Sequence, residues 1–186
     1  AKVYNNDIYS YKLRGILVRC TTADFHYGCK VFGNSVITKD PLREDIHCIE
    51  VDSDGMPAGK MDDWYNANHN IKTVPKRGSG HEIYNNYCAD GYYGIVFSQV
   101  DDCHAYDNKV YGNVRGIVMQ NNCNNCSYKR NRMRQFISSA MLCNYGCKNN
   151  VYEGNHGISS VANNQAPIQM TIGAEGNTIR DNHFWI

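Results

Sequence analysis

The sequence predicts an all-β solenoid, in which short strands coil around one axis and stack on their equivalents in the next coil. Two observations carry this prediction. A six-residue unit ending in Asn recurs seven times, and the composition favours strands and turns, with 23 Asn, 16 Gly and 14 Tyr among 186 residues. Asn and Gly adopt the left-handed backbone of tight turns, whereas Tyr favours strands. No window of helical length shows an apolar stripe with the helical period.

The repeated unit defines the first strand of each coil. Its copies start 22 to 28 residues apart, except for one interval of 52 residues. The copies are AKVYNN (1–6), CKVFGN (29–34), HEIYNN (81–86), CHAYDN (103–108), CSYKRN (126–131), NVYEGN (150–155) and NTIRDN (177–182). An apolar or small residue follows two positions after each terminal Asn, which predicts a second strand after the turn.

A further strand completes most coils, and a Gly opens it in three copies. The copies are GILVR (15–19), CIEVD (48–52), GIVFS (94–98), GIVMQ (116–120), AMLCN (140–144) and PIQMT (167–171). Strands this short cannot pack alone, so each is expected to pair in parallel with its equivalent about 4.8 Å away along the axis. Equivalent side chains then stack, Cys over Cys and Asn over Asn, and turn amides bond along the stack.

Residues 83–131, IYNNYCADGYYGIVFSQVDDCHAYDNKVYGNVRGIVMQNNCNNCSYKRN, resemble the repeats of the right-handed parallel β-helix family, the pectate-lyase-like superfamily. The resemblance extends over nearly the whole chain and implies a single-stranded right-handed parallel β-helix of about seven coils. The family includes polysaccharide lyases, C5-epimerases of uronic acid polymers, glycoside hydrolases and phage tailspikes. Their catalytic motifs do not transfer residue by residue to this sequence. A homotrimer, as in tailspikes, is expected only by analogy.

The chain is expected to form one domain, residues 1–186, with one long loop-bearing coil at residues 37–80. Both ends fall within strands and lack a cap, so we interpret the sequence as a segment of a longer chain. The net charge of +1, from 19 basic and 18 acidic residues, argues against nucleic acid as a partner. The apolar runs GIVF and GIVM are too short to cross a membrane, and the first ten residues lack the regions of a signal peptide.

The cysteines recur at fixed register positions. Cys29, Cys103 and Cys126 share one position with His81, and Cys123 and Cys147 share another. Three interpretations remain open: small apolar pegs, which the stacking explains; disulfides between stacked pairs; and half of a zinc site at CNNC (123–126). We expect no metal and no cofactor, with calcium at DSDG (52–55) near Asp62 and Asp63 as the alternative to a solvated acidic turn.

The long coil is where we expect function, since extra length on a solenoid emerges as loops on one face. Within DIHCIEVD (45–52), alternation places Glu50 and Asp52 outward, roughly 7 Å apart, with Arg19 beside Asp52 on the preceding coil. Ser98 and Gln120 continue this polar line. Two carboxylates with an arginine suit acid and base chemistry on a sugar, one carboxyl being kept protonated by its neighbour. The alternative is solvated charge and a cross-strand ion pair.

The sequence thus predicts an extracellular protein that binds and processes an acidic polysaccharide as a lyase, hydrolase or epimerase. The candidate catalytic residues are Glu50, Asp52 and Arg19. The candidate substrate-binding residues are Trp64, Tyr65 and Tyr92 for stacking on sugar rings, Lys72, Lys76 and Arg77 for uronate carboxylates, and Gln120. The alternative function is a non-catalytic rod that is structural or binds glycans, such as a tail fibre or tailspike segment, which would be virion-associated.

Overall fold

The structure is a computed structural model that describes residues 1–9, 12–20, 28–38, 43, 46–53, 78–159 and 166–185. Within these ranges the chain forms twenty strands and no helix. Every strand pair is parallel, and the strands form three sheets, A, B and C. No helix in the described ranges could span a lipid bilayer.

Each of the seven coils contributes one strand to sheet A and one to sheet B, the first six also contribute one described strand to sheet C, and the strands stack in chain order. Sheet A contains β1 (Lys2–Tyr4), β4 (Lys30–Phe32), β7 (Glu82–Tyr84), β10 (His104–Tyr106), β13 (Ser127–Lys129), β16 (Val151–Glu153) and β19 (Thr178–Arg180). Sheet B contains β2 (Asp7–Tyr9), β5 (Ser35–Ile37), β8 (Tyr87–Ala89), β11 (Lys109–Tyr111), β14 (Arg132–Phe136), β17 (His156–Ser159) and β20 (His183–Trp185). Sheet C contains β3 (Arg14–Cys20), β6 (His47–Ser53), β9 (Tyr93–Ser98), β12 (Arg115–Gln120), β15 (Ser139–Cys143) and β18 (Ile168–Met170).

This topology is a parallel β-helix of seven coils, and it confirms the predicted fold class and the predicted register. Equivalent residues of successive coils pair as predicted: Val31 pairs with Ile83, and Ala105 pairs with Tyr128. The inward side chains of all three sheets form one continuous core. Of the predicted long coil, residues 37–80, β6 is described, whereas residues 54–77 lie outside the described ranges.

The turn between sheets A and B carries a ladder of seven stacked asparagines. Its members are Asn6, Asn34, Asn86, Asn108, Asn131, Asn155 and Asn182. From Asn34 onward, the side-chain oxygen of each accepts both the backbone N–H and the side-chain N–H of the asparagine one coil before, as Asn131 does from Asn108 at 3.0 Å. The residue before each ladder asparagine has positive φ, for example Asp107 at 55° and Gly154 at 62°. These hydrogen bonds confirm the predicted stacking of turn amides.

Candidate functional site

The predicted catalytic residues lie on sheet C, Arg19 on β3 and Glu50 and Asp52 on β6. Strand β6 differs from most strands because all seven of its residues are buried. Ile49 and Val51 join the core, as predicted. Glu50 and Asp52 alternate with them and belong to the outer side, yet they are only 4% and 3% exposed. The outer side of β6 is therefore a packed surface, on which each carboxylate needs a partner to remain charged.

Asp52 has such a partner in Arg19, which lies directly beside it in register on β3. Arg19 Nη2 donates to Asp52 Oδ2 at 2.8 Å, and Arg19 Nε donates to Asp52 Oδ1 at 3.0 Å. This forked geometry is the strong form of an arginine–carboxylate pair. Ser98 and Gln120 continue the row on β9 and β12, so the predicted polar line along the axis is present.

Glu50 is held by two other groups. Arg14 Nε donates to Glu50 Oε2 at 2.5 Å, and His47 Nδ1 lies 3.1 Å from the same oxygen. Burial pushes the pKa of Glu50 upward, but the contacts with His47 and Arg14 outweigh it, and the pKa is lowered overall. Glu50 is therefore ionised at neutral pH, which differs from the expectation that one of the two carboxyls would stay protonated.

A second row on the outer side, absent from the sequence prediction, contains His47, Tyr93 and Arg115. These residues occupy the same register position on β6, β9 and β12. The His47 ring meets the Tyr93 ring edge-on at 4.8 Å between centroids, and Arg115 Nη1 donates to Tyr93 Oη at 3.3 Å. Tyr92, a predicted stacking residue, belongs to the same cluster, since its ring lies 4.8 Å from that of Tyr93 and 6.0 Å from the Arg115 guanidinium.

A bend in the strands explains why His47 and Glu50 meet. Strict alternation would place residues three apart on opposite sides of a strand. Here two successive residues, Cys48 and Ile49, both join the core. On the next coils the first of these two positions is glycine, and a Cβ on Gly94 would lie 2.5 Å from the carbonyl oxygen of Gly116. Because of this bend, the side chain of Glu50 lies on the same side of the strand as that of His47.

An apolar stripe continues the outer side of sheet C beyond Glu50. Val96, Val118 and Leu142 share the register of Glu50 and form a second small apolar cluster, with Tyr93 packed against it. The groups of this face that retain solvent contact include Arg14, Leu17, Arg19, Tyr93, Arg115 and Gln120. Among the described residues, these side chains are positioned to touch a ligand.

The remaining predicted residues fall outside the described part of the chain. These residues are Trp64, Tyr65, Lys72, Lys76 and Arg77, together with Asp54, Gly55, Asp62 and Asp63 of the calcium alternative. Among the described residues no group of three or more His, Cys, Asp or Glu side chains could hold a metal ion.

Comparisons with solved structures agree with the fold. The DFA-IIIase mutant C387A from Arthrobacter chlorophenolicus A6, in complex with DFA-III, has a TM-score of 0.56 at 13% identity, and 97% of this chain covers 45% of that chain. An alginate lyase from Paenibacillus sp. str. FPU-7 has a TM-score of 0.56 at 11% identity, and 91% of this chain covers 66% of that chain. The chain thus spans less than two thirds of either structure. No curated protein matches the chain.

The sequence model of one protein family covers residues 28–185, most of the chain. That family has the right-handed β-helix fold, which the three parallel sheets reproduce. The chain therefore belongs to the NosD family, described as "Periplasmic copper-binding protein (NosD)".

Proposed function

We propose that this protein binds and processes an acidic polysaccharide on the outer face of sheet C. The observation that carries the proposal is a cluster of polar side chains there, in which Arg14 and His47 both contact Glu50 and Arg115 contacts Tyr93. Charged and titratable groups that converge on a packed surface are typical of sites built for chemistry. The name of one similar structure, an alginate lyase, supports a carbohydrate ligand.

The charge state of Glu50 favours proton abstraction over hydrolysis. An inverting hydrolase needs one carboxyl that is protonated at working pH, whereas the pKa of Glu50 is lowered. A lyase or C5-epimerase instead needs a base for the proton next to a uronate carboxylate and cations that stabilise the charge formed there. Tyr93, which is half-buried, is the group that could exchange the proton. Arg115 and Arg14 could bind the carboxylate, with Glu50 and His47 positioning Arg14 and the Tyr93 ring.

An extracellular or periplasmic location accompanies this proposal. The family description is periplasmic, and polymeric glycans are substrates that lie outside the cell membrane. Glu50, Asp52 and Arg19 remain the proposed functional residues from the sequence, with Asp52 and Arg19 acting as one ion pair rather than as separate catalytic groups.

Copper, named in the family description, does not fit the described residues. Copper(I) prefers thiolate sulfur, and eight of the nine cysteines are buried. Burial raises the pKa of Cys123 well above its usual value, and Cys147 Sγ donates its hydrogen to the carbonyl oxygen of Asn144 at 2.9 Å. Neutral thiols already bonded to the backbone are poor metal ligands. With no cluster of three ligands in the described ranges, this part of the chain does not supply a copper site.

The non-catalytic rod remains the second candidate, and one observation favours it. Arg14 neutralises Glu50 and Arg19 neutralises Asp52, so both carboxylates already have partners. Such pairs can fix the register of neighbouring coils without taking part in any reaction.

Incubation with a panel of glycans separates the two candidates. Alginate and polygalacturonate are the acidic substrates, a neutral glucan is the control, and the readouts are unsaturated ends, reducing ends and inversion at C5. We expect product from an acidic glycan, and a loss of kcat of about 10²-fold or more in Tyr93→Phe and Glu50→Gln. Glu82→Gln, in an ion pair on sheet A, is the matched control.

Because Glu50→Gln removes the buried ion pair with Arg14, the free energy of unfolding of this variant must be measured together with its activity. Product formation that survives Tyr93→Phe, Glu50→Gln and Asp52→Asn would disprove the site. Failure of the wild-type protein to alter any glycan would favour the rod.

A further inference from the structure

The outer face of sheet B carries exposed cations on successive coils. One register row contains Lys109, Arg132, His156 and His183, and the next contains Tyr111, Arg134, Ile158 and Trp185. All eight side chains are exposed. The strands that present them, β11, β14, β17 and β20, contain no Asp or Glu.

On sheet A, by contrast, exposed cations form ion pairs with glutamates on neighbouring coils. There, Lys30 pairs with Glu82 at 3.2 Å, and Glu153 pairs with both Lys129 at 3.2 Å and Arg180 at 2.8 Å. On sheet B, Lys109, Arg132 and Arg134 form no ion pair with any described residue. The neighbouring turn carboxylate of Asp107 is bonded to Arg130, through two hydrogen bonds. The sheet B face therefore has a local positive charge that the described part of the protein leaves uncompensated.

The same face is concave. Two cavities of about 260 and 220 Å³ follow one another along it, and a third of about 440 Å³ lies beside them at the turn between sheets A and B; Arg132 lines all three. The first is lined by Tyr87, Lys109, Tyr111 and Arg134 besides Arg132, and the second by Arg134, His156, Ile158 and Trp185. Shared walls make these cavities one shallow groove that runs along the solenoid axis rather than a closed pocket for a small molecule.

Aromatic rings lie at both ends of this groove. Tyr87 and Tyr111 are each 37% exposed, and Trp185 is 54% exposed. The rings of His156 and His183 stack at 5.2 Å between centroids, and each lies 6.3 Å from Trp185. Exposed rings beside cations suit a ligand with apolar ring faces and regularly placed anions.

The spacing of the cations distinguishes among polyanions. Successive coils are about 4.8 Å apart, so Lys109 and Arg132 repeat at a distance similar to the length of one sugar residue. A uronic acid polymer carries one carboxylate for each sugar. Double-stranded DNA carries one charge for about every 1.7 Å of axis, which is far denser than this row. The net charge of +1 for the whole chain also disfavours a nucleic acid partner.

We propose that the outer face of sheet B binds a uronic acid polymer extended along the solenoid axis. Lys109 and Arg132 pair with the carboxylates of successive sugars, Arg134 supplies a second cation on the strand of Arg132, and Tyr111 and Trp185 stack on sugar rings. This surface is separate from the proposed site on sheet C, and it holds the polymer without acting on it. The proposal would stand if sheet C had no activity.

Binding of the full chain to polygalacturonate, measured by isothermal titration calorimetry, tests the proposal. The double variant Arg132→Gln/Arg134→Gln should weaken the affinity about tenfold or more, because it removes two charge-assisted contacts. Arg180→Gln, an exposed arginine of sheet A, is the matched control and should change the affinity less than twofold. Raised salt and methyl esterification of the polymer should each weaken binding.

Three outcomes would overturn the proposal: no binding of the wild-type protein, equal affinity of the double variant and the wild type, or tighter binding of single-stranded DNA than of polygalacturonate. Trp185→Ala supplies a second, uncharged test, since it should weaken binding without changing the salt dependence. The glycan panel measures product formed on sheet C, whereas calorimetry of Arg132→Gln/Arg134→Gln measures binding on sheet B, so failure on sheet B and failure on sheet C are distinguishable.

Discussion

Single cysteines illustrate how the solenoid uses one register position for one task. The sequence left small apolar core residues, disulfides and half a zinc site open for these residues, and the structure shows eight of the nine cysteines free and buried. Cys126 Sγ accepts the backbone N–H of Cys103 at 3.4 Å. In the next coil Asn150 takes the same role, accepting the N–H of Cys126 at 2.8 Å. Cysteine therefore acts here as a small core side chain whose sulfur makes a weak hydrogen bond.

These thiols predict a loss of stability in alkali. Burial raises the pKa of Cys123, and the hydrogen bond with Cys123 raises the pKa of Cys147 to about 12. In the unfolded chain a thiol ionises near pH 8.5. Above that pH the unfolded state binds fewer protons than the folded state, so the free energy of unfolding falls as pH rises, by up to about 1.4 kcal/mol per pH unit for each thiol.

Urea unfolding between pH 7 and pH 10 measures this slope. The variant Cys123→Ala/Cys147→Ala should show a shallower decline than the wild type, even if it is less stable at pH 7. Identical slopes for the two proteins would show that these thiols do not contribute.

Among the elements, the turn between sheets A and B was the most predictable. Each unit ends in Asn, and the residue before this Asn has positive φ. This pattern alone predicts a stack of turns. The register of sheet C was also predictable, since Arg19 beside Asp52 follows from aligning GILVR with CIEVD. The cluster of His47, Tyr93 and Arg115 was not, because strict alternation was assumed where the strand bends. Alignment of the residue before each opening Gly would have found it.

The asparagine ladder predicts a stability difference between its middle and its end. Asn108 accepts two hydrogen bonds from Asn86 and donates to Ile83 O and Asn131 Oδ1. Asn108→Ala leaves several of these buried groups without a partner, at about 1–3 kcal/mol each, so we expect a loss of about 3 kcal/mol or more.

Asn182→Ala is the matched control, because Asn182 is only half-buried and water can replace its contacts. Urea denaturation of both variants checks the difference. A loss at Asn182 as large as that at Asn108 would contradict the role of burial.

At the scale of the molecule, each coil contacts its immediate neighbours, so coils should be interchangeable units. Residues 103–125 form one complete coil, from one unit to the next. A chain in which these 23 residues are duplicated should fold with an eighth coil. The urea m-value should increase, since more surface becomes exposed on unfolding.

A duplication of residues 103–114 alone is the control, because it adds part of a coil and puts the following strands out of register. We expect it to unfold at lower urea concentration than the wild type. Equal stability of the two insertions would show that whole coils are not the units of this fold. The long coil at residues 37–80 could be predicted only in outline, because residues 54–77 follow no repeat from which strand positions could be inferred.

The asparagine ladder also gives the molecule a direction. In each described step a side-chain amide donates to the asparagine that follows it along the chain and accepts from the one that precedes it. Hydrogen bonds aligned in series polarise one another, so the inner links should be stronger than the terminal ones. An aspartate in the middle could accept but not donate when ionised, and it would divide the series into two shorter, weaker runs. The two ends of the solenoid thus differ in hydrogen-bonding polarity, and a column of neutral side chains sets that difference.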